Sequence, residues 1–190
     1  MNRINPEQGP LLLTIVRTTI TKQLGIAAKI PKTTDYPWLN ELTATFVTLK
    51  QKGKLRGCIG SLKAHHALID DLQGNAISAA FHDSRFPPVS KDDLDQIQIE
   101  VSLLTEPEPI VFNDEADALS QLKPGIDGVI FESGRQRSTF LPQVWEQLPT
   151  PDIFMSRLKQ KAGFTPSYWR DDVLLYRYRV DKFSEAEYAK

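Results

Sequence analysis

The sequence predicts an α+β fold on three observations. Strand-like alternation in Thr43–Lys50, Leu55–Gly60 and Ile97–Leu103 is interleaved with apolar residues at helical three- and four-residue spacing. The order hairpin, helix, helix, strand from Thr43 to Leu104 returns in the second half, which points to a duplicated ββααβ arrangement with mostly antiparallel sheet and helices packed on it. With 190 residues, 41% hydrophobic and 25% charged, the chain is one globular domain or two small halves, about 1–105 and 106–190. Residue identity between the halves is negligible, so the repeat is one of topology.

Taken in order, Leu11, Leu12, Ile15, Val16, Ile20 and Leu24 form an amphipathic stripe, predicting a helix from about Pro10 to Leu24 that Gly25 stops. Either Asn5-Pro6 or Gly9-Pro10 marks its start. Residues 26–38, with Pro31 and Pro37, read as an extended loop. Thr43–Lys50 and Leu55–Gly60 read as a hairpin. A three-residue loop ending at Gly53 is favoured, because a two-residue Lys52-Gly53 turn needs a positive φ at Lys52. Ile69, Leu72, Ala76, Ile77 and Ala80 form a helical stripe, and Pro87-Pro88 stop any helix. Ser90, with Asp93 three residues on, caps a short helix, and Ile97, Ile99, Val101 and Leu103 face one side of a strand. Thr105–Pro109 is a break. A helix around Glu115–Leu122, strands at Val129–Glu132 and Ser138–Leu141, helices from Pro142 and Pro151, and a strand Val173–Val180 complete the second half.

Composition excludes several function classes. The 23 basic and 24 acidic residues give a formal charge of −1, which does not suit a polyanion binder acting through bulk charge. No apolar run approaches the roughly 18 residues of a membrane span, and the opening residues lack a basic region followed by an apolar stretch, so a cytoplasmic protein is expected. The single cysteine, Cys58, forms no internal disulfide and no multi-thiolate metal centre within this chain.

The sharpest local signal is Leu55-Arg56-Gly57-Cys58-Ile59-Gly60. On a strand of period two, Arg56, Cys58 and Gly60 share one face, with the first two stems about 7 Å apart. A guanidinium beside a thiol favours the thiolate, the nucleophilic form, while Gly57 and Gly60 let a ligand or a second backbone approach. The opposing explanation is a small buried cysteine with glycines that permit tight packing. In His82-Asp83-Ser84-Arg85-Phe86-Pro87-Pro88, Asp83 and Arg85 either pair to pin the loop or hold an anionic ligand. Glu100 projects from the polar side of its strand, as a general acid or base if a cleft covers it and as a solvated carboxylate otherwise. His65, His66 and His82 have no metal-binding spacing, so no metal is expected. Phosphate-loop, dinucleotide and G-x-S-x-G motifs are also missing from the sequence. Tyr176-Arg177-Tyr178-Arg179 could stack on single-stranded RNA, but alternation with Tyr inward and Arg outward explains it more simply.

The hexapeptide closely resembles the signature of the AMMECR-one domain family, whose prokaryotic members are called AmmeMemoRadiSam system protein A. The resemblance continues through Ala79-Ala80-Phe81, Asp83, Arg85-Phe86-Pro87-Pro88, Glu100–Leu104, Gly125–Gly128, Phe140–Val144, Lys161-Ala162-Gly163, Trp169 and Phe183-Ser184-Glu185. It departs at Arg135–Thr139, where the family commonly has a Gly-rich approach to the Leu-Pro-Gln-Val stretch, and at Phe164. The resemblance implies two α+β subdomains with a cleft between them, beside the hexapeptide. It also implies a link to Memo-like and radical S-adenosylmethionine proteins as partners, and names no cofactor of its own. The residues carried over as a site are Arg56, Cys58, Asp83, Arg85 and Glu100, with Gly57 and Gly60 beside them. The expectation is an enzyme or small anionic-ligand binder. Arg56 and Arg85 would hold the anion, Cys58 would act as nucleophile or redox thiol, and Glu100 or Asp83 would transfer a proton. The alternative is a noncatalytic adaptor.

Overall fold

The computed structural model describes residues 6–188. In chain order its elements are α1 (Gly9–Gln23), β1 (Thr45–Gln51), β2 (Lys54–Gly60), α2 (Leu68–Ile77), β3 (Ile97–Leu104), β4 (Glu108–Pro109), α3 (Glu115–Ser120), β5 (Gly128–Ser133), β6 (Gln136–Phe140), α4 (Pro151–Lys161), β7 (Leu174–Tyr178), β8 (Val180–Ser184) and α5 (Glu185–Tyr188). This is an α+β fold. Among the described residues, one compact unit comprises 6–104 with 181–188, and the other Thr105–Val180.

The first unit holds the sheet β2-β1-β3-β8, and the second holds β4-β7-β5-β6. Read from the hairpin end, the second order is β6-β5-β7-β4. Each sheet therefore puts the hairpin's first strand between its second strand and the strand after the helices, all antiparallel. The duplicated strand order expected from the sequence is present, but the paired helices are not: α2 with its continuation is the one helix between β2 and β3, and the segment from Pro142 to Glu146 is a 3₁₀ turn ahead of α4.

In the first unit, α1 and α2 cover one sheet face. Leu12, Ile15, Val16, Leu72 and Ala76 pack there with Val47, Leu49, Ile99 and Val101, each large side chain contributing about 1.5–3 kcal/mol when fully buried. Helix α1 uses the later of the two start signals, with Pro10 in its first turn, and Gly25 follows its end at φ +76°; Asn5 lies outside the described residues. Two short 3₁₀ turns, Thr33–Asp35 and Pro37–Asn40, occupy part of the expected loop.

The hairpin turn differs from the favoured reading. Gln51 pairs with Lys54, and Lys52 and Gly53 form a two-residue turn with φ +52° and +76°. A turn of this hand matches the right-handed twist of the flanking strands, and that match outweighs the cost of the left-handed conformation at Lys52. Helix α2 runs on into a π-helical turn, Ser78–His82, before Asp83 returns to extended backbone. Residues 91–96 are turns rather than a capped helix, with Ser90 N and Oγ both donating to Asp93.

In the second unit Phe131, Trp145, Phe154 and Leu158 form the core, with Trp145 stacked on Phe154 at 3.8 Å. The strand expected over Val173–Val180 divides at Arg179. There the backbone N donates to Thr105 Oγ1 and the carbonyl accepts from Thr105 N, and β8 then joins the first sheet. Tyr178 is buried and Arg179 exposed. No helix among the described residues is long and apolar enough to cross a membrane.

Candidate functional site

The hexapeptide forms most of β2, an edge strand whose register with β1 is interrupted. Leu49 pairs with Gly57 but Lys50 pairs with Leu55, so Arg56 is the extra residue of a β-bulge. The bulge overturns the shared face of Arg56 and Cys58. Gly57, opposite the core residue Leu49, faces the helices, whereas Leu55 and Cys58 lie opposite Lys50 and Thr48 on the other face. The Arg56 guanidinium turns to the helix side, where Nη2 donates to Pro88 O at 3.3 Å and lies 3.6 Å from Asp93 Oδ2. Gln51, on the core face with Leu49, donates to the same Asp93 carboxylate. Arg56 Nη1 is buried without a hydrogen-bond partner among the described residues.

The two glycines permit close approach, but of protein rather than ligand. A Cβ at Gly57 would lie 2.2 Å from the Ala79 carbonyl oxygen, in the π-helical turn. At Gly60 it would enter the Phe46 ring, which lies over the glycine from the opposite strand position.

Asp83 and Arg85 meet at the outer edge of β2. Arg85 Nε and Nη2 donate to the two Asp83 oxygens at 2.9 and 2.7 Å. Asp83 Oδ2 accepts from Cys58 N at 2.9 Å, and Arg85 Nη2 donates to Cys58 O at 3.1 Å. An ion pair thus satisfies the outward-facing backbone N–H and C=O of Cys58, as a further strand would. The Arg85 donors, opposed by desolvation and helped by the Cys58 and Arg85 backbone N–H groups, hold the Asp83 carboxyl well below the usual carboxylate range. The Asp83 carboxylate is buried, whereas the Arg85 side chain is 55% exposed.

The Cys58 side chain is partly buried, and its Sγ accepts a hydrogen bond from Thr48 Oγ1 at 3.3 Å. Thr48 pairs across the sheet with Cys58 on one side and Glu100 on the other, so the three form one row away from the helices. Glu100 is 91% buried by residue surface and accepts from Lys50 Nζ at 2.7 Å and Lys182 Nζ at 3.0 Å, on its two oxygens. Burial raises its pKa, but the two lysines outweigh burial and the net shift is downward. Sequence reasoning did not single out Thr48, Lys50 or Lys182. Thr48 and Lys50 alternate on an expected strand, yet their meeting with Cys58 and Glu100 depends on register, and Lys182 lies in β8, beyond the end of the strand expected over Val173–Val180. His65, His66 and His82 are all exposed. Among the described residues, no group of three His, Cys, Asp or Glu side chains is placed to hold a metal ion.

A family model described as AMMECR1 matches residues 13–183. The chain belongs to the AMMECR1 family. A relative from Methanothermobacter thermautotrophicus is 38% identical over 189 residues, covering 96% of both chains. One from Thermotoga maritima is 41% identical over 140 residues, covering 73% of this chain and 75% of its own. The crystal structure of the uncharacterized protein PH0010 from Pyrococcus horikoshii matches with a TM-score of 0.83 and 33% identity, over 95% of this chain and 93% of that one. The AMMECR1 match spans both sheets, and the hexapeptide lies within it.

Proposed function

We propose that this AMMECR1 protein is a cytoplasmic enzyme or ligand-binding protein whose working group is the Cys58 thiol, with Arg85 receiving an anionic part of a small ligand. The observation that carries the reading is that Cys58 is the polar side chain of the hexapeptide left without a packing duty. Arg56 anchors the 88–93 segment, and Gly57 and Gly60 admit Ala79 and Phe46. Cys58 is partly accessible, its backbone is fixed through both N and O, and its sulfur accepts a hydrogen bond from the Thr48 hydroxyl. The guanidinium beside it has its outer part in solvent. Asp83 and Glu100 serve in this reading as positioning residues rather than proton carriers, since both are held ionised by cations. Arg56 has its spare donor on the helix side and does not share the ligand with Cys58.

Neutral iodoacetamide tests the reading at pH 7. Cys58 should be alkylated in the folded protein at least as fast as in urea, and more slowly after Thr48→Val. Complete protection until unfolding would remove the thiol from consideration. A second reading, a noncatalytic module working with Memo-like and radical S-adenosylmethionine proteins, is favoured by the packing duties of Arg56, Gly57, Gly60 and Asp83. It expects Cys58→Ala to keep partner binding and cellular function unchanged.

A further inference from the structure

A buried carboxylate needs one cation to offset its charge; Glu100 has two. Lys50 reaches Oε1 from β1 and Lys182 reaches Oε2 from β8, so the cluster carries a net charge of +1. Two ammonium groups held on one carboxylate repel each other, and a single lysine would meet the structural need at lower electrostatic cost. Each ammonium has three N–H donors and gives one to Glu100, and no other acceptor engages either among the described residues. Both side chains are open to solvent, 34% exposed for Lys50 and 47% for Lys182. The pair is also on the sheet face of Cys58, because Thr48 is the cross-strand partner of both Cys58 and Glu100. Adjacent antiparallel partners are separated by about 4.5–5.5 Å, which puts the Cys58 and Glu100 backbones about 10 Å apart.

From this we infer that Lys50 and Lys182, held together by Glu100, form an anion-binding pair for the ligand of Cys58. The ligand is a small molecule with a carboxylate or phosphate at the lysine end. The inference rests on the thiol reading and adds the substrate class. Arg85 flanks the thiol on the opposite side, its charge balanced by Asp83. The net positive charge on this row therefore lies at the lysine pair, and Glu100 acts as a positioning residue that fixes the spacing of the two ammonium groups.

The test compares two alkylating probes of the same thiol, anionic iodoacetate and neutral iodoacetamide, on folded and urea-unfolded protein. The iodoacetate to iodoacetamide rate ratio should be higher in the folded state by roughly twofold, the effect of one net positive charge acting at about 10 Å through water. Lys182→Met should abolish the gain, Lys182→Arg should keep it, and added salt should weaken it. Inorganic phosphate and malonate, added separately, should slow iodoacetate more than iodoacetamide, and whichever acts at lower concentration identifies the preferred acid. An equal ratio in folded and unfolded protein, or a gain that survives Lys182→Met, overturns the anion pair while leaving the thiol reading standing. Failure of iodoacetamide to react with folded protein overturns the thiol reading and this inference together.

Discussion

Asp83→Asn changes one charge at nearly constant shape and isolates what the edge clamp contributes. In the wild type the carboxylate accepts from Cys58 N at 2.9 Å and from Arg85 N, Nε and Nη2 at 3.2, 2.9 and 2.7 Å. The asparagine oxygen can keep Cys58, but the amide N–H₂ group then faces a guanidinium that has donors only. Hydrogen bonds to charged groups contribute about 1.5–3 kcal/mol net. The half-exposed guanidinium regains water when released, which discounts that figure, so the expected loss at pH 7 is about 1–2 kcal/mol. The pH dependence has a definite sign. The folded-state pKa of Asp83 is depressed, so the stabilisation is complete above the unfolded value of about 3.9 and fades as pH falls through it toward the lower folded value. Urea unfolding of wild type and Asp83→Asn should therefore give the same difference at pH 7 and pH 5.5 and a smaller one at pH 3. A variant as stable as wild type at pH 7, or a difference that widens in acid, would refute the clamp as the source of edge stability.

Three further outcomes follow from the same geometry. Gly57→Ala drives a methyl into the Ala79 carbonyl, so the strand or the π-helical turn must shift, and chemical denaturation should show a loss of about 1–3 kcal/mol. In the second unit, Glu115→Ala strands the fully buried Lys159 ammonium, leaving it Pro166 O and the Trp169 ring, and should cost about 3–5 kcal/mol; Lys159→Met leaves Glu115 able to reach water and should be far milder. Burial pushes the Tyr178 hydroxyl up to about 12, against hydrogen bonding with Thr139 and the distant charge of Arg137. Ultraviolet titration should thus show one of the five tyrosines ionising late in folded protein, a step that Tyr178→Phe removes. Because that pKa is raised, the associated stability is complete below about pH 10 and is lost as pH rises toward 12.

The architecture was legible because both sheets are built from local patterns. The α1 stripe, the β3 alternation and the punctuation at Gly25 and Pro87-Pro88 each carry their meaning within a dozen residues, whereas the break expected at Thr105–Pro109 ends in the short edge strand β4 paired with β7. What escaped was register. Nothing in Lys54–Gly60 announces the bulge, and without it Leu55 would join Gly57 and Ile59 on the core face, where strand alternation puts its apolar side chain. It is instead 44% exposed, and the unpaired Arg56 reaches the Asp93 segment. That outcome depends on a partner almost forty residues away, which strand periodicity cannot specify. The pairing of Glu100 with Lys182 is of the same kind, since it needs β8 to return to the first sheet. The spacing of Asp83 and Arg85 allows either an ion pair or joint binding of an anion, and their pairing on both Cys58 backbone groups becomes visible only with β2 at the sheet edge.

The duplication supplies an internal control for reading the site. Both hairpins occupy the same place in their sheets, yet β5 and β6 pair without a shift from Val129–Phe140 to Ser133–Gln136, whereas β1 and β2 contain the Arg56 bulge. Likewise, the π-helical turn follows α2, while α4 ends in an ordinary turn at Ala162 and Gly163. Both units also place a glycine under a cross-strand aromatic ring, Gly60 under Phe46 and Gly128 under Tyr178, so that feature belongs to the common scaffold. The bulge and the π-helical turn belong to the first unit alone among the described hairpins and helices. They meet where Gly57 packs on Ala79, and together they direct Arg56 to the helix side while Asp83 and Arg85 close on the Cys58 backbone. A scaffold that folds without either irregularity in one copy has no topological need for them in the other. Their concentration around Cys58 is the expected mark of a site held in place by its surroundings.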